Sequence, residues 1–146
     1  MNSFRFPLER ALEWRRRQLE IEENRFKRQA AALAELDRAR AELESAAIRA
    51  ELQVRGWAPL LGQDLSALAG FRFDVQAKEE ALAARRAEGQ RRLEAQQQCM
   101  LEARRRCRLL EKLRERRWTE WRAAADRELE QFAAENYLAG LVRNRG

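Results

Sequence analysis

The chain has 146 residues, with two prolines, six glycines, no histidine and a formal charge of +6 in which Asp and Glu are interleaved with the cations. So little turn punctuation argues against a sheet-rich fold, and no stretch approaches the roughly 20 apolar residues of a membrane span. The abundant Ala, Leu, Glu, Gln and Arg are good helix formers, so the expected fold class is all-α, with a narrow seam between helices in place of a broad core.

Met1 to Leu12 holds no apolar run of signal-peptide type, which predicts a cytoplasmic protein. Pro7 fits the first turn of a helix and Ser3 is available as a cap upstream. From Leu12 a seven-residue stride catches Leu19, Phe26, Leu33, Arg40, Ala47 and Val54, while a companion stride catches Leu36, Leu43, Ala50 and Trp57. That is a heptad seam, one-sided at first because the companion positions Arg15, Glu22 and Gln29 are polar. Gly56, Pro59 and Gly62 interrupt it and predict a bend. Asp64 or Ser66 could cap the helix after the bend, and Gly70 is expected to separate a short turn from the main second helix. Leu68, Val75 and Leu82 then share one stride, and Leu93, Met100, Cys107 and Trp121 the other, with Gly89 and Gln96 as defects.

These elements predict one domain, residues 1–146, built as a long antiparallel two-helix coiled-coil hairpin with a longer second helix. Helix one covers about 7–56, the bend about 57–65 and helix two about 66–142. Folding there places Leu12 near Leu113 and Leu33 near Arg92 or Leu93. At about 1.5 Å per residue the second arm outruns the first, so the segment from Arg122 on, with Leu129, Phe132, Tyr137, Leu138, Leu141 and Val142, has no partner within the hairpin. Cys99 and Cys107 lie about 12 Å apart along one helix, too far for a disulfide, and are expected to be buried thiols.

Chemistry is absent from the pattern. Without histidine, with no base or ligand at a recognisable spacing from either cysteine and with no phosphate-cradling loop, the chain is expected to be neither an enzyme nor a metal or cofactor binder. Arg15-Arg16-Arg17, Arg104-Arg105-Arg106 and Arg114 with Arg116 and Arg117 are basic clusters, but consecutive helical residues point to different faces. A solvated, ion-paired surface is therefore favoured over a protein-docking patch, and both over nucleic acid or an acidic membrane. The register brings Phe4 and Phe6 to Trp118 and Trp121, as local packing or as a docking surface. Trp14 and Ile21 share a face off the seam and are expected to be exposed.

The opening Phe4-Arg5-Phe6-Pro7-Leu8-Glu9-Arg10-Ala11-Leu12, leading into Arg15-Arg16-Arg17-Gln18-Leu19-Glu20, resembles the start of the flagellar export protein FliJ family. The stretch Glu111-Lys112-Leu113-Arg114-Glu115-Arg116-Arg117, then Trp121-Arg122 and Asp126-Arg127-Glu128-Leu129-Glu130, is similar to that family's late charged helix. The ending Glu135-Asn136-Tyr137-Leu138-Ala139-Gly140-Leu141 has no counterpart in it. The resemblance implies a non-catalytic stalk or adaptor of the flagellar type III export apparatus, with a chaperone role, cytoplasmic and peripheral to the inner membrane at the flagellar base. Its partners would be the hexameric flagellar export ATPase and a membrane export gate protein, with no nucleic acid, small-molecule substrate or cofactor. The open end, Phe4, Phe6, Trp118, Trp121 and Phe132, is assigned to the ATPase; the bend, Trp57, Leu60, Leu61, Phe71 and Phe73, to the gate. The alternative is a self-associating structural coiled coil with no ATPase partner.

Overall fold

A computed structural model describes residues 2–57, 59 and 61–146. Among these the chain forms two helices and no strand, α1 at Glu9–Arg55 and α2 at Gly62–Arg145, 47 and 84 residues long. They pair antiparallel as a two-helix hairpin, the all-α class that the composition predicts. Leu8 and Phe6 open α1 by accepting from the Leu12 and Glu9 N–H groups at 2.9 and 3.2 Å, with Pro7 in the turn just before it. Glu9 places a carboxylate in the first turn, where the helix dipole favours it. Ser3 therefore lies too far upstream to cap this helix.

At the other end of α1 the ladder tightens, Gly56 and Trp57 donating to the carbonyls of Gln53 and Val54 at 3.2 and 3.0 Å. The second helix starts at Gly62, not near 66, because Leu61 occupies the cap position. Its carbonyl accepts from the Asp64 and Leu65 N–H groups, and its own N–H donates to Asp64 Oδ2 at 3.1 Å. Asp64 thus caps from inside the first turn, as an acid at the third helical position can. Gly70 does not interrupt α2. An interior glycine lowers helix stability by about 1 kcal/mol relative to Ala, too little to break a helix held on both sides.

The chain divides into two units. In the first, Met1–Glu20 with Glu102–Gly146, Phe6, Leu12 and Cys107 are buried, and Phe4, Leu19, Leu110 and Leu113 pack against them. Arg114 Nε meets Glu9 Oε2 at 2.9 Å and Arg16 Nε meets Glu111 Oε1 at 3.4 Å across the helix pair, as the expected proximity of Leu12 and Leu113 requires.

In the second unit, Ile21–Leu101, the seam is built differently. Leu33 is buried against Gly89, where an added Cβ would stand 3.3 Å from Leu33 Cδ1. The contact falls about one turn away from Arg92 and Leu93, at the position where the missing side chain leaves room for the leucine. Arg86 with Asp37 and Arg72 with Glu51, each at 2.7 Å, hold the pair together across the seam. Gln96 donates to the Glu22 carbonyl at 3.2 Å and to its carboxylate, so these two polar positions satisfy each other, whereas Gln29 Oε1 is buried without a hydrogen-bond partner. Ala39 is half-buried where the stride names Arg40; that arginine stays exposed and pairs with Glu44 at 3.3 Å. An arginine in the seam would need its charge desolvated, and a shift of one residue avoids that.

Candidate partner-docking surfaces

The extended segment before α1 lays Phe4 and Phe6 along α2. Phe4 meets Trp121 with ring centroids 6.0 Å apart and planes tilted by 54°, within the range of favourable aromatic pairs. The Arg114 guanidinium, held by Glu9, stands 5.7 Å from the Phe4 ring centroid. Shallow grooves flank Trp121, one lined by Phe4, Pro7, Leu113 and Arg117, the other by Ser3, Arg5, Ala125 and Glu128. A half-buried tryptophan between two grooves, braced by a second ring and a fixed cation, is a rigid apolar feature of the kind that anchors interfaces.

Not every residue assigned to this end joins it. Phe6 is a core residue at 8% exposure, packed with Leu12 and Cys107, so it supports the surface from beneath and is not offered to a partner. Trp118 is 39% exposed, with the Arg122 guanidinium 5.2 Å from its ring centroid, and lines neither groove. Phe132 is exposed eleven residues beyond Trp121 and lines neither groove. Trp118 and Trp121, three apart, lie about 60° from one another around the helix, and only Trp121 falls on the seam stride.

At the bend, Trp57, Leu61 and Phe73 are exposed, whereas Phe71 is half-buried in the seam, and Leu60 lies outside the described residues. Sequence reasoning missed Ile48, Leu52 and Leu65, all more than half exposed. The signal for Ile48 and Leu52 was present, an apolar pair four residues apart on neither heptad stride; Leu65 falls on the stride of Leu93, so spacing alone would have placed it in the seam. Trp14 and Ile21 are exposed, as their off-seam face requires, with the Arg15 guanidinium 4.7 Å from the Trp14 ring centroid. Of the two thiols only Cys107 is buried. Cys99 is exposed because it precedes the seam residue Met100 by one position, and so by about 100° around the helix. Cys107 Sγ lies 3.6 Å from Glu111 Oε1, to which it donates.

The arginine clusters are tied to carboxylates: Arg16 to Glu111, Arg106 to Glu102 at 3.1 Å, and Arg114 to Glu9. Both members of each pair are about half exposed, so each contributes at most about 1 kcal/mol while dispersing the positive charge. No helix of the described residues is long and apolar enough to cross a membrane. A comparison of the chain with protein-family models, with curated proteins and with solved structures finds no match.

Proposed function

We propose that the chain is a non-catalytic stalk of a flagellar type III export apparatus, with the aromatic end of its first unit engaging the hexameric export ATPase and its bend engaging the membrane export gate. The observation that carries this reading is the Phe4–Trp121 contact. The Phe-x-Phe start, on which the resemblance to the FliJ family chiefly rests, folds onto the late tryptophan of α2 and builds a rigid apolar surface there. A two-helix hairpin is also the fold that the resemblance implies. A stalk of this kind does no bond chemistry. It acts by contacting some ring conformations better than others, which shifts the ring's populations and so its turnover. Trp121 and Phe4 are the anchors, Trp118 the neighbouring contact, and Phe6 positions Phe4 from the core. In this role the protein works in the cytoplasm at the flagellar base and carries a chaperone role there.

The test is stimulation of purified export ATPase by the full chain and by a Phe4→Ala, Trp118→Ala, Trp121→Ala variant. Stimulation by the parent that is lost in the variant, with helicity retained, supports the assignment. Equal stimulation by both removes the docking surface, and no stimulation by either removes the stalk reading.

A further inference from the structure

Within the second unit the exposed large apolar residues are concentrated at the bend. Ile48, Leu52, Trp57, Leu61, Leu65 and Phe73 are 49–73% exposed; Ile21 and Leu101 at the unit's other end are 41% and 42% exposed, and none of the large apolar residues described at 22–47 or 74–100 is exposed. An apolar concentration of this kind at one end of an otherwise well-ordered seam marks an interaction surface.

Its distribution around the helices identifies the kind of partner. Ala47, Ala50 and Val54 are the half-buried seam positions of α1, so Ile48 and Leu52 occupy its outer side. In α2 the half-buried positions are Leu68, Phe71 and Val75, and Phe73, two residues from Phe71, lies about 200° around the helix from it. The Glu51–Arg72 ion pair sets Leu52 and Phe73 at one level of the hairpin. The apolar side chains therefore ring the bend on opposite sides, and Trp57, Leu61 and Leu65 fill the end beyond. A flat protein surface covers one side of such a tip, whereas a fluid apolar medium covers all of it.

The charges point the same way. Of the carboxylates near the tip, Glu51 pairs with Arg72 and Asp64 accepts from the Leu61 N–H, while exposed Asp74 lies beyond Phe73; Arg49, which donates to the Ser45 carbonyl, and Arg55 enter no ion pair among the described residues. Leucine, isoleucine and phenylalanine with a tryptophan and arginines outside any ion pair are the residue types that settle into the headgroup region of a bilayer. There the apolar groups reach about 5–10 Å in, and the arginines extend to anionic headgroups.

We propose that the bend inserts end-on into the interface of an anionic lipid bilayer, with Leu52, Trp57, Leu61 and Leu65 in the acyl boundary and Arg49 and Arg55 among the headgroups. The gate reading also places this bend beside a membrane, but the inference does not rest on it, because lipid alone serves as the probe.

The experiment is flotation of the full chain with vesicles of phosphatidylcholine, with and without about one-third phosphatidylglycerol. The expected result is flotation with the anionic vesicles alone. Binding should be weakened about tenfold in a Leu52→Gln, Leu65→Gln variant and about thirtyfold in an Arg49→Gln, Arg55→Gln variant, and should fall at high salt. Both variants replace exposed side chains, and circular dichroism checks that their helix content matches the parent. Failure to float with anionic vesicles overturns the proposal, as does undiminished flotation of the leucine variant. Equal flotation with neutral vesicles overturns the anionic assignment. Concentration-dependent dimerisation that Leu52→Gln, Leu65→Gln abolishes, without any flotation, gives the surface to a second copy instead. ATPase stimulation is unaffected by any of these outcomes, so the stalk reading stands or falls separately.

Discussion

Two stretches of the same helix, residues 102–125 and 126–145 of α2, are both rich in alanine, leucine and charge, yet only the first contributes to a core. In it Ala103, Cys107, Leu110, Leu113, Trp121 and Ala125 recede from solvent at seam spacing, and Cys107 is 2% exposed. From Asp126 on every residue is exposed, including Leu129, Phe132, Tyr137, Leu138, Leu141 and Val142. Apolar residues at helical spacing therefore do not make a core by themselves; a facing helix does. The later stretch owes its helical form to the propensity of Ala, Leu, Glu and Arg, and to continuation from a turn already formed, which removes the nucleation penalty.

The strongest way to break this contrast is Leu12→Ala. The side chain is fully buried, so its loss leaves a cavity in the first unit, with an expected cost of about 2–5 kcal/mol and a large fall in the urea midpoint followed by circular dichroism. Phe4→Ala, at the half-exposed edge of the same cluster, should lower stability by about 1–2 kcal/mol and change the fluorescence of Trp121. Smaller again is Glu9→Gln, under about 1 kcal/mol, since the pair with Arg114 is some two-fifths exposed; a double-mutant cycle with Arg114→Gln isolates its share. Phe132→Ala should stay within about 0.5 kcal/mol of the parent in the isolated protein. A larger loss would show that the later stretch is covered in solution and would erase the distinction.

Periodicity made much of this legible. The heptad strides named Leu12, Leu33 and Cys107, and the hairpin register placed Phe4 beside Trp121. What periodicity does not report is depth and local adjustment. Phe6 and Phe4 lie in a non-helical segment, so no stride tells which ring enters the core. Arg40 satisfied the stride, but the desolvation of its charge moved Ala39 inward instead. Gly70 looked like a break because its intrinsic preference is unfavourable, yet neighbouring turns carry a single glycine when their own contacts hold them. At the bend the strides were followed inward only, and the off-stride pair Ile48 and Leu52 was overlooked.

Gly89 has a consequence for errors in assembly. A heptad seam is nearly self-similar, so sliding α2 past α1 by seven residues preserves most apolar matches and offers a competing wrong partner at every step. Yet Leu33 sits where even a methyl group would stand 3.3 Å from its Cδ1, and the neighbouring steps of the same stride carry Leu82 and Gln96. A slip of seven in either direction brings a bulky side chain to that space, so within this unit one missing side chain works as a keyway that favours the native alignment.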